Sequence, residues 1–423
     1  MNHKVNVFEN GLRFVLIPLP SLKSATVTVW VGVGSRYESD RLGGISHFLE
    51  HMVFKGSRKR PSAKQIAESI DAFGGEFNAS TSKEWTNYYI KSRSEKIETA
   101  IDVLSDMVLN PILKGSDIER EKGVILEEMA MYEDTPIAKI HDYFERLIFE
   151  GNDLARDVIG TKESVKGIKR SDFLSFREKH LGSGDVVITI AGGVDEKKVT
   201  DLVRKYFSGF KLKDKAGFEK FKESQDKPKV YLHRKKIEQA HIILGFMGNR
   251  RGHKAKYAEA VLTSILGGGM SSRMFTEVRE KRGLAYAIKT SRDNLHDTGY
   301  LSTYAGVDLK RIDQAIDVIL KQYYKISKGK NEISIGELKK AKEYIKGHLA
   351  LALEDTKDVN SFFGVRELLE GKIETPEEVF KRIDGVTAEE VVGYAREVFV
   401  PGRLNLALVG PFDDEKRFEK LLS

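Results

Sequence analysis

Cysteine is absent from the 423 residues. That removes disulfides, thiolate ligands and a cysteine nucleophile together, so any metal must be held by histidine and carboxylate. The same absence fits a reducing, cytoplasmic setting, which is the expected location. Long apolar runs are missing as well. No stretch reaches the roughly 18 apolar residues of a membrane span, so no membrane partner is expected. The N-terminal stretch alternates apolar and polar residues around Asn10–Gly11, the pattern of a strand hairpin. It has no basic segment followed by an apolar one, and no secretory leader is expected. A basic block with interleaved aromatics is also lacking. The net charge is +7, but acids and bases are interleaved, as in Glu95–Lys96–Ile97–Glu98 and Glu277–Val278–Arg279–Glu280. Solvated helix faces account for that pattern, and no nucleic-acid partner is expected.

What is present is a globular composition, 40% hydrophobic and 31% charged, on a chain too long for one ordinary core. Strand patterns occupy most of residues 1–36, then 76–80, 85–90 and 185–191. Helical patterns fall at 63–73, 95–108, 117–134, 137–149, 172–180 and 195–207. Residues 208–227 lose periodicity and gain lysine, which marks a linker. The second half then repeats the first. Ile101–Asp102–Val103–Leu104 recurs as Ile316–Asp317–Val318–Ile319, an offset of 215 residues, and Gly192 recurs as Gly410, an offset of 218. Such a period is too long for a solenoid. The expected fold class is α+β: two homologous domains, each a largely antiparallel sheet with helices packed on one face. The boundaries are 1–212, a linker at 213–227, and 228–423.

One short stretch, Gly43–Gly44–Ile45–Ser46–His47–Phe48–Leu49–Glu50–His51–Met52, carries chemistry. It reads as a helix closed by Lys55–Gly56–Ser57. Four residues nearly close a helical turn, so His47 and His51 share a face and Glu50 projects close to it. That is a zinc ligand pair with a carboxylate beside it, in the order His-x-x-Glu-His. The plainer alternative is an amphipathic helix with two half-buried histidines. The corresponding part of the second half, Leu266–Gly267–Gly268–Gly269–Met270–Ser271–Ser272–Arg273–Met274, offers no histidine or carboxylate at ligand spacing. One half could hold a metal and the other could not.

A catalytic zinc usually takes a third protein ligand. Downstream, an acid-rich helical stretch holds Glu121, Glu127 and Glu128. Glu121 and Glu128 are two turns apart and share a face, but periodicity does not choose between Glu127 and Glu128.

These residues together, His47-x-x-Glu50-His51 followed by Glu121–Lys122–Gly123–Val124–Ile125–Leu126–Glu127–Glu128–Met129, resemble the pitrilysin-type (M16) family of zinc peptidases. The likeness is to its short bacterial members, related to the β subunit of the mitochondrial processing peptidase, and it spans nearly the whole chain. The resemblance implies that Glu128, 77 residues after His51, closes a Zn²⁺ site with the two histidines, and that Glu121 is a supporting carboxylate. It implies a metalloendopeptidase, with Glu50 taking a proton from water and returning it to the leaving amine. Gly74 to Glu84 resembles the family's substrate-pairing edge strand, with Phe77, Asn78, Ala79, Ser80 and Thr81 as the peptide contacts. Arg279 and Tyr286 match the family's Arg/Tyr substrate pair, and Gly267–Gly268–Gly269 its glycine-rich segment. Gly151–Asn152–Asp153–Leu154–Ala155–Arg156–Asp157 departs from the family's usual Gly-x-His-Pro-Leu-Gly-Arg, leaving that loop's geometry open.

Two such domains make half of the chamber that long family members build from four. A homodimer enclosing a peptide substrate is therefore expected. The alternatives are a non-catalytic core protein of the same fold, and the catalytic subunit of an obligate heterodimeric processing peptidase.

Overall fold

The N-terminal alternation builds a hairpin in which β1 (Lys4–Val7) and β2 (Arg13–Pro18) pair antiparallel, Val7 opposite Arg13. Gly11 sits at φ +76° in the turn, and the Asn10 side chain accepts the Leu12 N–H at 3.2 Å. Local bonds of this kind are why asparagine and glycine make turns. The computed structural model describes residues 1–211, 213–215, 217–329 and 333–422. Leu212 and Ala216, which the sequence puts at the end of the first domain and in the linker, lie outside the described residues.

The chain forms two compact units. In the first, β1, β2, β3 (Ser24–Val31), β4 (Glu76–Thr81), β5 (Thr86–Arg93) and β6 (Val186–Gly192) make a six-stranded sheet in the order β1-β2-β6-β3-β5-β4. Only β2 and β6 run parallel; the other neighbours are antiparallel. In the second, β7 (Lys229–Arg234), β8 (Gln239–Met247), β9 (Ala285–Asn294), β10 (Gly299–Asp308) and β11 (Asn405–Gly410) take the order β7-β11-β8-β10-β9. The parallel pair there is β7 with β11. The second order repeats that of the first without β1, so the duplication seen in sequence is a duplication of topology. β4 and β9 are the corresponding edge strands.

In the first unit, Val27 and Val29 of β3 bury against α1 (Ile45–Val53) and α3 (Ile97–Leu109), through Phe48, Met52, Ile101 and Leu104. A shorter helix, α2 (Ala63–Asp71), lies between them in sequence. The opposite face of β3 presents Thr26 and Trp30 to the helix Thr356–Glu370. Asn360 of that helix donates to the Thr26 and Thr189 carbonyls at 2.8 and 3.1 Å. At Gly364 a Cβ would lie 2.2 Å from the Trp30 indole nitrogen. Glycine lets the helix sit on the indole.

The second unit mirrors this. Phe246 of β8 packs on Tyr323 and Phe399 on one face. On the other, α5 (Pro136–Ile148) buries Ile140 and Phe144 against Ile243, Ala407 and Val409. Helices do gather on one face of each sheet, but each sheet's other face is covered by a single helix drawn from the other half of the sequence.

The units therefore differ from the 1–212 and 228–423 division. The first takes in Met1–Ala130, Arg156–Glu219 and Leu351–Thr375; the second takes in Met131–Ala155, Lys220–Ala350 and Pro376–Ser423. Periodicity tells which face of a helix is buried, not which sheet buries it. The expected linker is anchored too. Phe218 lies 3.8 Å from the buried Arg36 guanidinium in the first unit, and Phe221 packs edge-on to Phe149 in the second. No helix among the described residues is long and apolar enough to cross a membrane.

Candidate metal centre

α1 inserts Ile45, Phe48, Leu49 and Met52 into the core and leaves His47, Glu50 and His51 partly exposed on its other face. Its N-terminus is held tightly. Gly44 takes φ +89°, and a Cβ there would come within 2.5 Å of the Ile159 carbonyl, so the position requires glycine. The fully buried Glu38 carboxylate accepts the Gly44 and Ser46 N–H groups, each at 2.7 Å. Burial pushes its pKa up to about 7, against the pull of those two donors. Arg156, from the loop that departs from the family pattern, donates to the Glu38 carbonyl at 2.9 Å and pairs with Asp40 at 2.8 Å. That loop fastens the entry to α1.

The facing wall is α4 (Gly115–Glu133), which buries Ile118, Glu121, Ile125 and Met129. Its Glu128 Oε2 lies 3.7 Å from His47 Nε2 and 3.6 Å from His51 Nε2. One ligand atom from each of the three residues falls within 4.8 Å of the others, and no other such group of His, Asp or Glu occurs among the described residues. Glu127 points to solvent. Periodicity alone left that choice open; the fold of α4 resolves which carboxylate meets the imidazoles. Glu121, one of the least exposed acids, accepts His51 Nδ1–H at 2.9 Å and pairs with Lys55 at 2.7 Å. Glu128 Oε2 and His47 Nδ1 are buried without a hydrogen-bond partner. An uncompensated carboxylate oxygen aimed between two imidazole nitrogens is costly alone and is what a divalent cation would satisfy. The donor set fits zinc.

The electrostatics agree with that use. Burial, with His51 nearby, holds the His47 pKa down to about 4, so the imidazole is neutral and able to donate a lone pair at neutral pH. Burial raises the Glu50 pKa, opposed by a hydrogen bond from Thr81 Oγ1 at 2.5 Å. Burial raises Glu128 as well, with Glu121 adding to the shift. For Glu121 burial pulls upward but is outweighed by the His51 and Lys55 hydrogen bonds, and its pKa is lowered.

The remaining sequence candidates fall in two places. Phe77, Asn78, Ala79, Ser80 and Thr81 all lie on β4, whose only strand partner among the described residues is β5, leaving one edge of β4 without a paired strand. Phe77 packs on Phe54, while Asn78 and Ser80 face solvent. Arg279 and Tyr286 belong to the second unit. Arg279 sits on a π-helical turn (Phe275–Glu280), its guanidinium 5.1 Å from the centre of the Tyr286 ring at the start of β9. Tyr286 is 77% exposed. Gly267 allows close approach to β9, since a Cβ would lie 2.4 Å from the Thr290 nitrogen.

Three contacts were not read from sequence. In sequence Lys55 reads as part of a helix stop, although its place four residues after His51 puts it on the ligand face. Thr81 reads in sequence as a main-chain peptide contact only. Glu38 gave no signal, because a carboxylate six residues upstream of the N-cap Gly44 matches no local capping pattern.

Comparison with known proteins covers most of the chain. The model of the insulinase family, peptidase family M16, matches residues 13–162, and that of the M16 inactive domain matches residues 167–345. The chain is 38% identical over 404 residues to the uncharacterized zinc protease YmxG of Bacillus subtilis, covering 95% of this chain and 97% of that one. It is also 38% identical to an uncharacterized zinc protease of Streptomyces coelicolor, covering 96% of this chain and 89% of the relative. Among solved structures, a protease from Helicobacter pylori superposes with a TM-score of 0.89 at 24% identity, covering 96% of this chain and 99% of that one. A Pseudomonas fluorescens M16 inactive-domain structure gives 0.88 at 18% identity, covering 98% of each. At those identities the structural likeness speaks for the fold.

Proposed function

The chain belongs to the M16 peptidase family, and from that premise we propose that it is a zinc-dependent endopeptidase acting on extended peptide segments. The observation that carries the proposal is the convergence of His47 Nε2, His51 Nε2 and the unpartnered Glu128 Oε2 beside the Glu50 carboxylate. Zinc, when bound, supplies a Lewis acid that polarises a peptide carbonyl and acidifies water.

The chain's own residues supply the rest. His47, His51 and Glu128 hold the ion, and Glu121 fixes His51 through Nδ1–H so that Nε2 is the free lone pair. Glu50 is the general base: its raised pKa makes it a stronger proton acceptor than an exposed carboxylate, and protonated it can pass that proton to the leaving amine. The open edge of β4 offers main-chain donors and acceptors to a peptide strand, giving affinity with little dependence on side chains. Arg279 and Tyr286 bind the substrate or its carbonyl oxygen. We place the enzyme in a homodimer in which that pair can serve the partner's zinc site, and in the cytoplasm on composition alone.

The test is peptide hydrolysis by purified protein before and after chelation, with restoration by added zinc, alongside its mass by size exclusion. Activity lost on chelation and regained with zinc supports the reading. Metal-independent activity overturns it, and zinc-loaded homodimer with no hydrolysis of a peptide library favours a core protein of the same fold.

A further inference from the structure

The Glu50 carboxylate has one hydrogen-bond partner among the described residues, and it is not on α1 or α4. Thr81 Oγ1 donates to Glu50 Oε2 at 2.5 Å. A donor at that distance from a carboxylate makes a short, charge-assisted bond that fixes which oxygen is engaged and which is free. Thr81 is the last residue of β4, the open edge strand. Its main chain pairs with Thr86 of β5, and the Thr86 hydroxyl, itself bonded to the Val33 carbonyl at 2.9 Å, lies 3.4 Å from the Thr81 hydroxyl. The side chain that orients the carboxylate is thus carried by the strand whose free edge can receive a peptide.

We infer that Thr81 is the positioning residue of Glu50, and that it ties the peptide-receiving edge of β4 to the base. The inference rests on the hydrolase reading above and adds a role which that reading does not require. The Thr81 hydroxyl occupies Oε2 and leaves Oε1 to take the proton. A peptide paired with β4 would order the strand end that carries the hydroxyl, so occupancy of the edge would tighten the geometry of the base. The contribution is to turnover rather than to metal holding, because among the described residues the Thr81 hydroxyl bonds Glu50 and Thr86 and neither imidazole nor Glu128.

The experiment compares zinc-loaded wild type with Thr81→Val, which keeps shape and strand preference but removes the hydroxyl, and with Thr81→Ser, which restores it. Expected for Thr81→Val are a zinc affinity and thermal midpoint within error of wild type, a KM within about twofold, and a kcat lower by about tenfold or more, the worth of a hydrogen bond to a charged group. Thr81→Ser should recover most of the loss. In a Glu50→Gln background, Thr81→Val should have no further effect on the residual rate, which a general loosening of the fold would not spare. Should valine disturb folding, Thr81→Ala removes the same hydroxyl without branched bulk. An unchanged kcat in the folded hydroxyl-free variant, or a raised KM with kcat intact, overturns the inference while leaving the hydrolase reading in place. A zinc-loaded wild type that cleaves no peptide removes both.

Discussion

At the scale of single residues, the centre is decided by which polar atoms have partners. His51 is tied by Glu121, and Glu121 in turn by Lys55 at 2.7 Å. Replacing Lys55 with methionine should lower zinc affinity by about tenfold, in the range found for outer-shell partners, while Arg should largely preserve it. Competition with a fluorescent chelator measures this, and an unchanged affinity would show that Glu121 is held well enough by the fold alone. His180 gives a separate expectation. It is buried against Phe176 and Tyr37, its Nδ1 has no partner, and burial lowers its pKa to about 4. The unfolded chain then holds more protons between about pH 4 and 6.5, so stability rises with pH across that window. The contribution is full above about 6.5 and disappears as pH falls towards 4, at most about 3 kcal/mol. Urea titrations of apo protein at several pH values should show that slope, shallower in His180→Phe.

The histidine pair and Glu50 were legible from spacing alone, because a four-residue interval fixes a helix face whatever the surrounding fold. Glu128 needed more. Two adjacent glutamates on one helix differ by about 100°, and only the placement of α4 against α1 shows which one meets the imidazoles. Thr81, Lys55 and Glu38 act across gaps in sequence that no periodic pattern spans.

At the scale of elements, the hairpin around Gly11 and most helices of the first half were readable from alternation, period and turn residues. Register and strand order were not, since these depend on long-range pairing. The helices Pro136–Ile148 and Thr356–Glu370 show the limit most clearly. The first lies in the first half of the sequence and the second in the second half, yet each covers a sheet of the other. The Gly364 contact makes this testable. Ala at 364 drives a methyl into the Trp30 indole, and overpacking of this kind costs about 2 kcal/mol. The denaturant midpoint should fall accordingly; an unchanged midpoint would mean the helix shifts off Trp30 without cost.

At the scale of the molecule, the exchanged helices make the two halves of the sequence interdependent. A chain cut at the 219–220 division leaves each sheet without the helix that covers one of its faces. Separately expressed fragments 1–219 and 220–423 should fail to unfold cooperatively, and co-expression should restore a stable complex. Cooperative unfolding of either fragment alone would show that its covering helix is dispensable. The duplication left one ligand-bearing half and one half bearing Arg279 and Tyr286. Mixing Glu50→Gln with Arg279→Ala subunits should recover activity if the two halves cooperate between chains; no recovery under verified exchange argues for sites completed within one chain.

The claim on which all of this depends is that Glu50 moves the proton at a zinc held by His47, His51 and Glu128. The most direct measurement is peptide turnover by Glu50→Gln protein carrying about one zinc per chain. Turnover should fall at least about a hundredfold with the metal retained; zinc-loaded Glu50→Gln that cleaves peptide at the wild-type rate would contradict the account.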